Sequence, residues 1–563
     1  MRFPTKISIL CDVPFIKEEL TRFVEQLTGH APCKTGYPIC VSVQEKGHEN
    51  ARVSVRKSGA AIIGHSLRGA VYGLYAFLER CVGLQFLAED CTIFPPKGTA
   101  TLKCGAFSIK PAFDYREVYW RGALDGRFAL QMGLNSARAD IPKAWGGKTM
   151  FHHYSHTFDL LIPPGEYFDA HPEYFSMVGG VRQKEKSQLC LTNTDLIALV
   201  AEKVRVWMRE NPDCRIFSVA MNDWYSPCEC EKCRAMDERE ESQAGSMLYF
   251  VNQIAKKIEK EFPNNFIHTF AYLYCRKPPK TIKPRKNVIV RLCSIECCFS
   301  HPIAACNHAV RRIDVETTSA AAFTTGNRSF VADLEGWAAI CKNLYIWDYT
   351  TNYANYCQPF PNIQVLSENL RLFKNCGVRG VFEQGNYAPG KASAFAALKI
   401  YLLSKLLWNP NEEVKKLTET FVNGYYGQAA APFILDILKR SEEAVAHAHI
   451  SLFDAADAAY LTPDFLREAD LLFQKALAAS ASSQPHFDRI STEHLSIRYA
   501  LCVAMPLDAP KRDAPIDAFT ADVIRLGISE LFERRELKAS FACMKNSRYC
   551  LNRDNVPHAV YRL

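Results

Sequence analysis

The chain has 563 residues, 48% of them hydrophobic and 23% charged, with a formal net charge of +8. That length exceeds what one core can hold and implies two or three domains of ordinary globular composition. The small charge, spread without a basic tract, argues against nucleic acid as the main partner, and no stretch reaches the length of a membrane-spanning helix.

The N-terminal MRFPTKISILCDVPF enters an apolar, strand-like run at once and carries no signal-peptide pattern. With 22 scattered cysteines, the expectation is a cytoplasmic protein with free thiols. Residues 1–110 read as a small α/β domain. Ile7–Cys11 and Val41–Val43 are strand-like, with a helical stretch at Ile16–Leu27 between them. From Gly64 to Gly98 runs GHSLRGAVYGLYAFLERCVGLQFLAEDCTIFPPKG. Its helix carries Gly69, Ala70 and Gly73, small residues that permit close packing, and ends at Cys81–Gly83 before Pro95 and Pro96. This stretch resembles the accessory domain that precedes the barrel in α-glucuronidases and β-hexosaminidases.

Residues 111–387 alternate apolar runs with helical segments. The runs are Tyr115–Trp120, Leu134–Ala139, Met150–His156, Ile216–Met221, Phe266–Leu273, Val288–Cys293, Leu344–Trp347 and Val378–Phe382. Eight strands over roughly 275 residues predict a (β/α)₈ TIM barrel. The third is the least secure, because Gln188–Thr192 competes for its place. Helical spacing is clear at Gly245–Phe262 and near Val365–Asn375. Residues 388–563 read as an α-helical C-terminal domain, with helices at Phe395–Leu407, Asn411–Tyr425, Pro432–His449, Pro463–Ala479 and Ile490–Ala504.

Side chains just past the carboxyl ends of barrel strands line the active-site mouth. Three acids occupy such places in the sequence: Asp223 after Ile216–Met221, Asp348 after Leu344–Trp347, and Glu383 after Val378–Phe382. Carboxylates at buried strand tips are costly and invite a chemical explanation; each could equally cap a helix or pair with an arginine. Around them the sequence sets Trp120, Arg121, His156, Asn222, Trp224, Tyr272, Glu296, Trp347, Tyr349 and Tyr387. Aromatic faces stack on a pyranose, polar groups bond its hydroxyls, and glycoside hydrolysis requires two carboxylates. Glu296 could instead pair with an arginine such as Arg276. Cys228, Cys230 and Cys233 have zinc-like spacing, and the sequence nearby supplies no fourth ligand. No catalytic cofactor is expected, and the triplet is a candidate for a structural zinc.

The segments HPEYFSMVGGVR, QLCLTN, MNDWYSPCECEKC, LCSIECCFSHP, LYIWDYTTNYANYCQPFPN and VRGVFEQGNY resemble a large family of bacterial proteins known as a domain of unknown function. Some of its members are endo-β-N-acetylglucosaminidases of glycoside hydrolase family 163. The resemblance implies a glycan substrate, an N-acetylglucosaminide first and an α-glucuronidase-like inverting hydrolysis second. By likeness to α-glucuronidases, Asp223 would be the acid, and Asp348 with Glu383 would activate water. Hexosaminidases end the fourth strand in Asp–Glu; here Asn222–Asp223 stands there, so Asp223 could take the acid's slot with Asn222 holding an acetamido group. The rivals from other classes are a non-catalytic glycan-binding barrel and a metal-dependent hydrolase using the cysteine triplet and the third-strand histidines His152, His153 and His156. Neither nucleic acid nor membrane is expected as a partner, and the oligomeric state is left open.

Overall fold

A computed structural model describes residues 1–96, 98–312, 323–388 and 394–546. The N-terminal region is a five-stranded mixed sheet in the order Ile7–Leu10, Tyr37–Val43, Gly59–Gly64, Ala51–Arg56, Gly105–Ile109. The first three strands run parallel and the last two pair antiparallel. Helices Pro14–Thr28 and Leu67–Phe77 accompany it. The second helix lies tight on the sheet. A Cβ at Gly73 would come within 2.7 Å of Ile62 Cγ2, so the small residue there is a packing requirement.

Next comes a curled parallel sheet. In chain order its strands are β1 (Tyr115–Tyr119), β2 (Phe151–His152), β3 (Ile216–Ser218), β4 (Phe266–Ala271), β5 (Val288–Cys293), β6 (Leu344–Tyr349) and β7 (Gly380–Gln384). They lie in the order β1-β7-β6-β5-β4-β3-β2, every neighbouring pair parallel.

Two expected strands are corrected here. Leu134–Ala139 forms no strand, and the sheet has seven strands among the described residues rather than eight. Asn135 and Glu117 account for this. The Asn135 side chain accepts the Arg116 amide at 2.9 Å, and Glu117 accepts the Ala137 amide. The Asn135 carbonyl takes the Thr149 amide at 3.0 Å. Side-chain bonds thus replace a backbone ladder between β1 and the segment leading to β2. The expected strand Met150–His156 shrinks to two residues because His153 takes a positive φ of 51°, which breaks the pleat. Gln188–Thr192 stays outside the sheet; its Leu189 forms an isolated bridge with Phe175, which is not a sheet residue either.

Inside the sheet, Arg291 on β5 is fully buried, its guanidinium 5.1 Å from the Phe151 ring centroid and 5.5 Å from those of Trp347 and Phe382. Burial pushes its pKa down, and the ring faces supply part of the stabilisation that water would give. Beyond β7 the regular elements of the described chain are all helices: Ala396–Trp408, Val414–Tyr425, Ala431–Val445, Pro463–Ala479, Gln484–Ala504, Asp513–Arg525 and Leu537–Asn546. The last two were not anticipated from spacing. Residues 547–563 of the expected helical domain lie outside the described residues. No described helix is long and apolar enough to cross a membrane.

Arg116, on the outer face of β1, joins the N-terminal region to the sheet. Its fully buried guanidinium pairs with Glu49 at 2.5 Å and donates to the carbonyls of Gly133 and Phe113, both at 2.7 Å. Breaking one partner of a buried pair costs about 3–5 kcal/mol, because the other charge stays behind. Arg116→Met is therefore expected to lower the denaturant midpoint strongly despite similar volume. An unchanged midpoint would show that Arg68, 2.6 Å from Glu49, suffices alone.

Candidate active site

At the carboxyl ends of the strands lies an open cavity of about 430 Å³, within the usual range for small-ligand sites. Tyr119, Phe270, Trp347, Tyr349 and Gln384 reach it from β1, β4, β6 and β7, or from just beside them. Tyr154, Ser155 and His156 follow β2, Asp223 follows β3, Tyr272 follows β4, and Tyr387 follows β7. Its far wall comes from the helical region: Phe453, Glu530, Glu533 and Arg534.

Asp223 holds the position expected of it. Its side chain is 43% exposed, Tyr272 donates its hydroxyl to Asp223 Oδ1 at 3.0 Å, and His156 Nε2 stands 3.9 Å from the same oxygen. The His156 ring is held by Nδ1 at 2.5 Å from the Met221 carbonyl. The loop beneath Asp223 is braced by Gln188. That amide side chain donates to the carbonyls of Asn222 (2.8 Å) and Trp224 (2.7 Å) and accepts from the Asn222 amide (2.9 Å).

Aromatic side chains form the floor. The Tyr119 and Tyr387 rings stack at 4.7 Å. Trp347, which lines the cavity, donates from Nε1 to Gln384 Oε1 at 2.7 Å, and this bond fixes the indole. Gly385 lies where a Cβ would meet Trp120 Cε2 at 1.8 Å, so only glycine lets β7 exit past that indole.

The two late acids are brought together, but not at the mouth, and the expectation for both is corrected. β6 and β7 run further than their apolar residues suggest, so Asp348 and Glu383 sit inside the strands, directly opposite each other in register. Successive side chains of a strand point to opposite faces. Trp347, Tyr349 and Gln384 line the cavity, and Asp348 and Glu383 therefore lie on the outer face, under the helices. Asp348 accepts bonds from Ser294 Oγ and, at 3.0 Å, from the Tyr349 amide. Glu383 is 1% exposed, and its Oε2 has no hydrogen-bond partner among the described residues.

Five other expected members of the site are also placed elsewhere. Trp120 follows the same alternation: buried, it donates to Thr350 Oγ1 at 2.9 Å and with Arg121 lines a separate cavity beside Ile400 and Tyr425. Asn222 donates to Asp159 Oδ1 and the Ser187 carbonyl, both at 2.8 Å, so its amide serves the scaffold. Trp224 stands outside the cavity lining, with Lys186 Nζ 5.6 Å from its ring. Glu296 is paired at 2.6 Å with Arg276, which also holds Asp333 at 2.7 Å.

Sequence reading missed Glu530, Glu533 and Arg534. The Tyr387 hydroxyl donates to Glu533 Oε1 at 2.8 Å. Burial raises the Glu533 pKa above the usual carboxyl value, and the charges of Asp223 and Glu530 push the same way. No spacing marks FERRE as part of a site, because it reaches the mouth only through the packing of the last helices.

Two groups of metal-ligating side chains stand apart from the cavity lining. Cys190 joins Cys228, Cys230 and Cys233, and Cys298, His301, Cys306 and His449 form a second cluster; within each, the donor atoms all lie within 4.8 Å of one another.

The Asp348–Glu383 pair has a consequence for stability. Burial pushes Asp348 from 3.8 up to about 6, and Glu383 is raised by burial and by Asp348's charge. Raised acids favour the fold in their protonated form. That stability is complete below the unfolded value and is lost as pH rises through about 6 for Asp348. The loss is on the order of 3 kcal/mol for Asp348 alone. Glu383→Gln keeps the shape and removes one acid, so it should raise stability near neutral pH and flatten the decline in denaturation series run across pH. A pH profile identical to wild type would refute the pairing.

A comparison with curated proteins finds no match. Among solved structures, a family 89 glycoside hydrolase from Clostridium perfringens in complex with 2-acetamido-1,2-dideoxynojirmycin aligns with a TM-score of 0.54 at 10% identity. The alignment covers 91% of this chain and 66% of that one, and at this identity the likeness is one of fold. A family 138 glycoside hydrolase targeting pectin rhamnogalacturonan II aligns at 10% identity with a TM-score of 0.42, over 94% of this chain and 74% of its own. The profile of one sequence family matches residues 86–439, more than half of the chain, and the protein belongs to that family, the domain of unknown function DUF4838.

Proposed function

We propose that the protein is a glycoside hydrolase, with its reaction centre at the mouth of the curled sheet. The observation that carries this is one cavity whose lining brings Asp223 and Glu533, from distant parts of the chain, together with Trp347, Tyr349, Tyr119 and Tyr387. Hydrolysis of a glycosidic bond needs one carboxyl group to protonate the leaving oxygen and a second to act on the other side of the sugar. The two groups need environments that set them apart. Glu533 is raised by burial and so holds its proton to higher pH, which fits the acid. Asp223 accepts the Tyr272 hydroxyl and is oriented by it as the second carboxylate. The tyrosine and tryptophan faces suit the apolar side of a pyranose.

An N-acetylglucosaminide is the favoured substrate within this reading. Its support is the resemblance of the sequence motifs and the acetamido iminosugar held by the structurally similar family 89 enzyme.

The test is a panel of aryl glycosides and released N-glycans, with turnover and binding measured side by side. Asp223→Asn and Glu533→Gln are each expected to lower kcat by about 10²–10⁴-fold. Glu533→Gln should regain activity on substrates whose leaving group is already acidic. Glu383→Gln should retain turnover, since Glu383 lies behind the strand. Binding without turnover across the whole panel would replace the hydrolase with a glycan-binding barrel.

A further inference from the structure

The loop that presents Asp223 continues into CECEKC, and the fold brings a fourth thiol to it. Cys190, from QLCLTN ahead of the helix Thr194–Glu210, lies 3.6 Å from Cys230 and 4.0 Å from Cys233, sulfur to sulfur. Four sulfurs at about 2.3 Å from one tetrahedral ion stand about 3.8 Å apart. Disulfide sulfurs would be about 2.05 Å apart, and all four thiols here are free. The group forms a small buried cluster of its own, separate from the main core, and among the described residues Met177 is the one other hydrophobic side chain packed against it.

We infer that Cys190, Cys228, Cys230 and Cys233 hold one zinc ion in a closed, structural site that pins the Asp223 loop to the segment around Gln188. The surrounding groups suit thiolates, which need donors. The Met177 amide donates to Cys228 Sγ at 3.4 Å, and Arg182 Nη1 approaches the same sulfur at 3.7 Å. The Thr192 hydroxyl lies 3.2 Å from Cys233 Sγ. A zinc ion with four thiolates carries two negative charges, and Arg182, anchored at 2.6 Å on the Phe175 carbonyl, offsets one of them. With the donor atoms confined to 4.8 Å, there is room for one ion only. Four protein ligands leave no open position, so the ion would supply no catalysis of its own.

The mechanical consequence follows from the chain path. Three segments meet at the sulfurs: the hairpin Met177–Arg182, the stretch through Cys190, and the Cys228–Cys233 turn. The same stretch carries Gln188, whose side chain holds the backbone of Asn222 and Trp224 on either side of Asp223. Losing the ion would free both ends of that loop together. This effect on Asp223 rests on the hydrolase reading; the metal content does not.

Elemental analysis of the full chain, purified without chelators, should give one more zinc per chain in wild type than in Cys190→Ser. Cys298→Ser, which alters the second cluster, should keep that zinc. A measurement on wild type alone removes any dependence on the variant's folding: protein loaded with ¹¹³Cd should show a resonance in the four-thiolate range, resolved from any mixed sulfur–nitrogen site. Equal zinc in wild type and a folded Cys190→Ser, iron in place of zinc, or no four-thiolate resonance would each overturn the assignment.

Discussion

A strand in a closed or nearly closed parallel sheet can offer only every second side chain to the mouth. On β6 that rule assigns Tyr345, Trp347 and Tyr349 to the interior and leaves Ile346 and Asp348 facing the helices. On β7 it assigns Phe382 and Gln384 inward and Glu383 outward. In register the two acids become neighbours, and one fact about pleating thereby decides which carboxylates can meet a substrate.

What remains at the mouth is delivered by loops and by the helical region. Asp223 stands on a turn whose backbone has its hydrogen bonds filled by Gln188, so its place is set by a segment more than thirty residues earlier in the chain. Glu533 arrives from the other end of the protein and is tied to Tyr387 just beyond β7. The cavity is thus shared between the sheet and the helices packed against it, and neither part alone would set two carboxyl groups against aromatic walls.

Desolvation governs the electrostatics throughout. It raises Glu533 at the cavity wall and the Asp348–Glu383 pair behind the strands, and it lowers Arg291 in the barrel interior. The four groups differ in what surrounds them. Glu533 meets a tyrosine hydroxyl and the charges of Arg534, Asp223 and Glu530, Arg291 meets ring faces, and Glu383 meets a second acid. The same physical cost therefore yields a raised acid beside the cavity in one place and a pH-sensitive buried pair in another.

Much of the architecture was legible in the chain. Spacing of apolar residues located the parallel strands at 115, 216, 266, 288, 344 and 380 and most of the later helices, because local periodicity reports burial directly. The SLRGAVYGLY helix and its small residues were equally plain. Local pattern could not show that Asn135 would satisfy backbone groups and replace a strand, nor that His153 would stop another after two residues. It brought Asp223, Tyr272, His156 and Trp347 to one place through the barrel rule, and it misjudged Asp348 and Glu383 because one or two more residues of strand change the face a side chain occupies. Composition, charge and motif spacing by themselves determined a parallel α/β core with acids and aromatics after its strands, and three of the clustered cysteines. Tertiary structure alone decided which acids share a cavity, that Glu533 joins them, and that Cys190 completes the fourth corner, since each depends on segments far apart in sequence meeting in space.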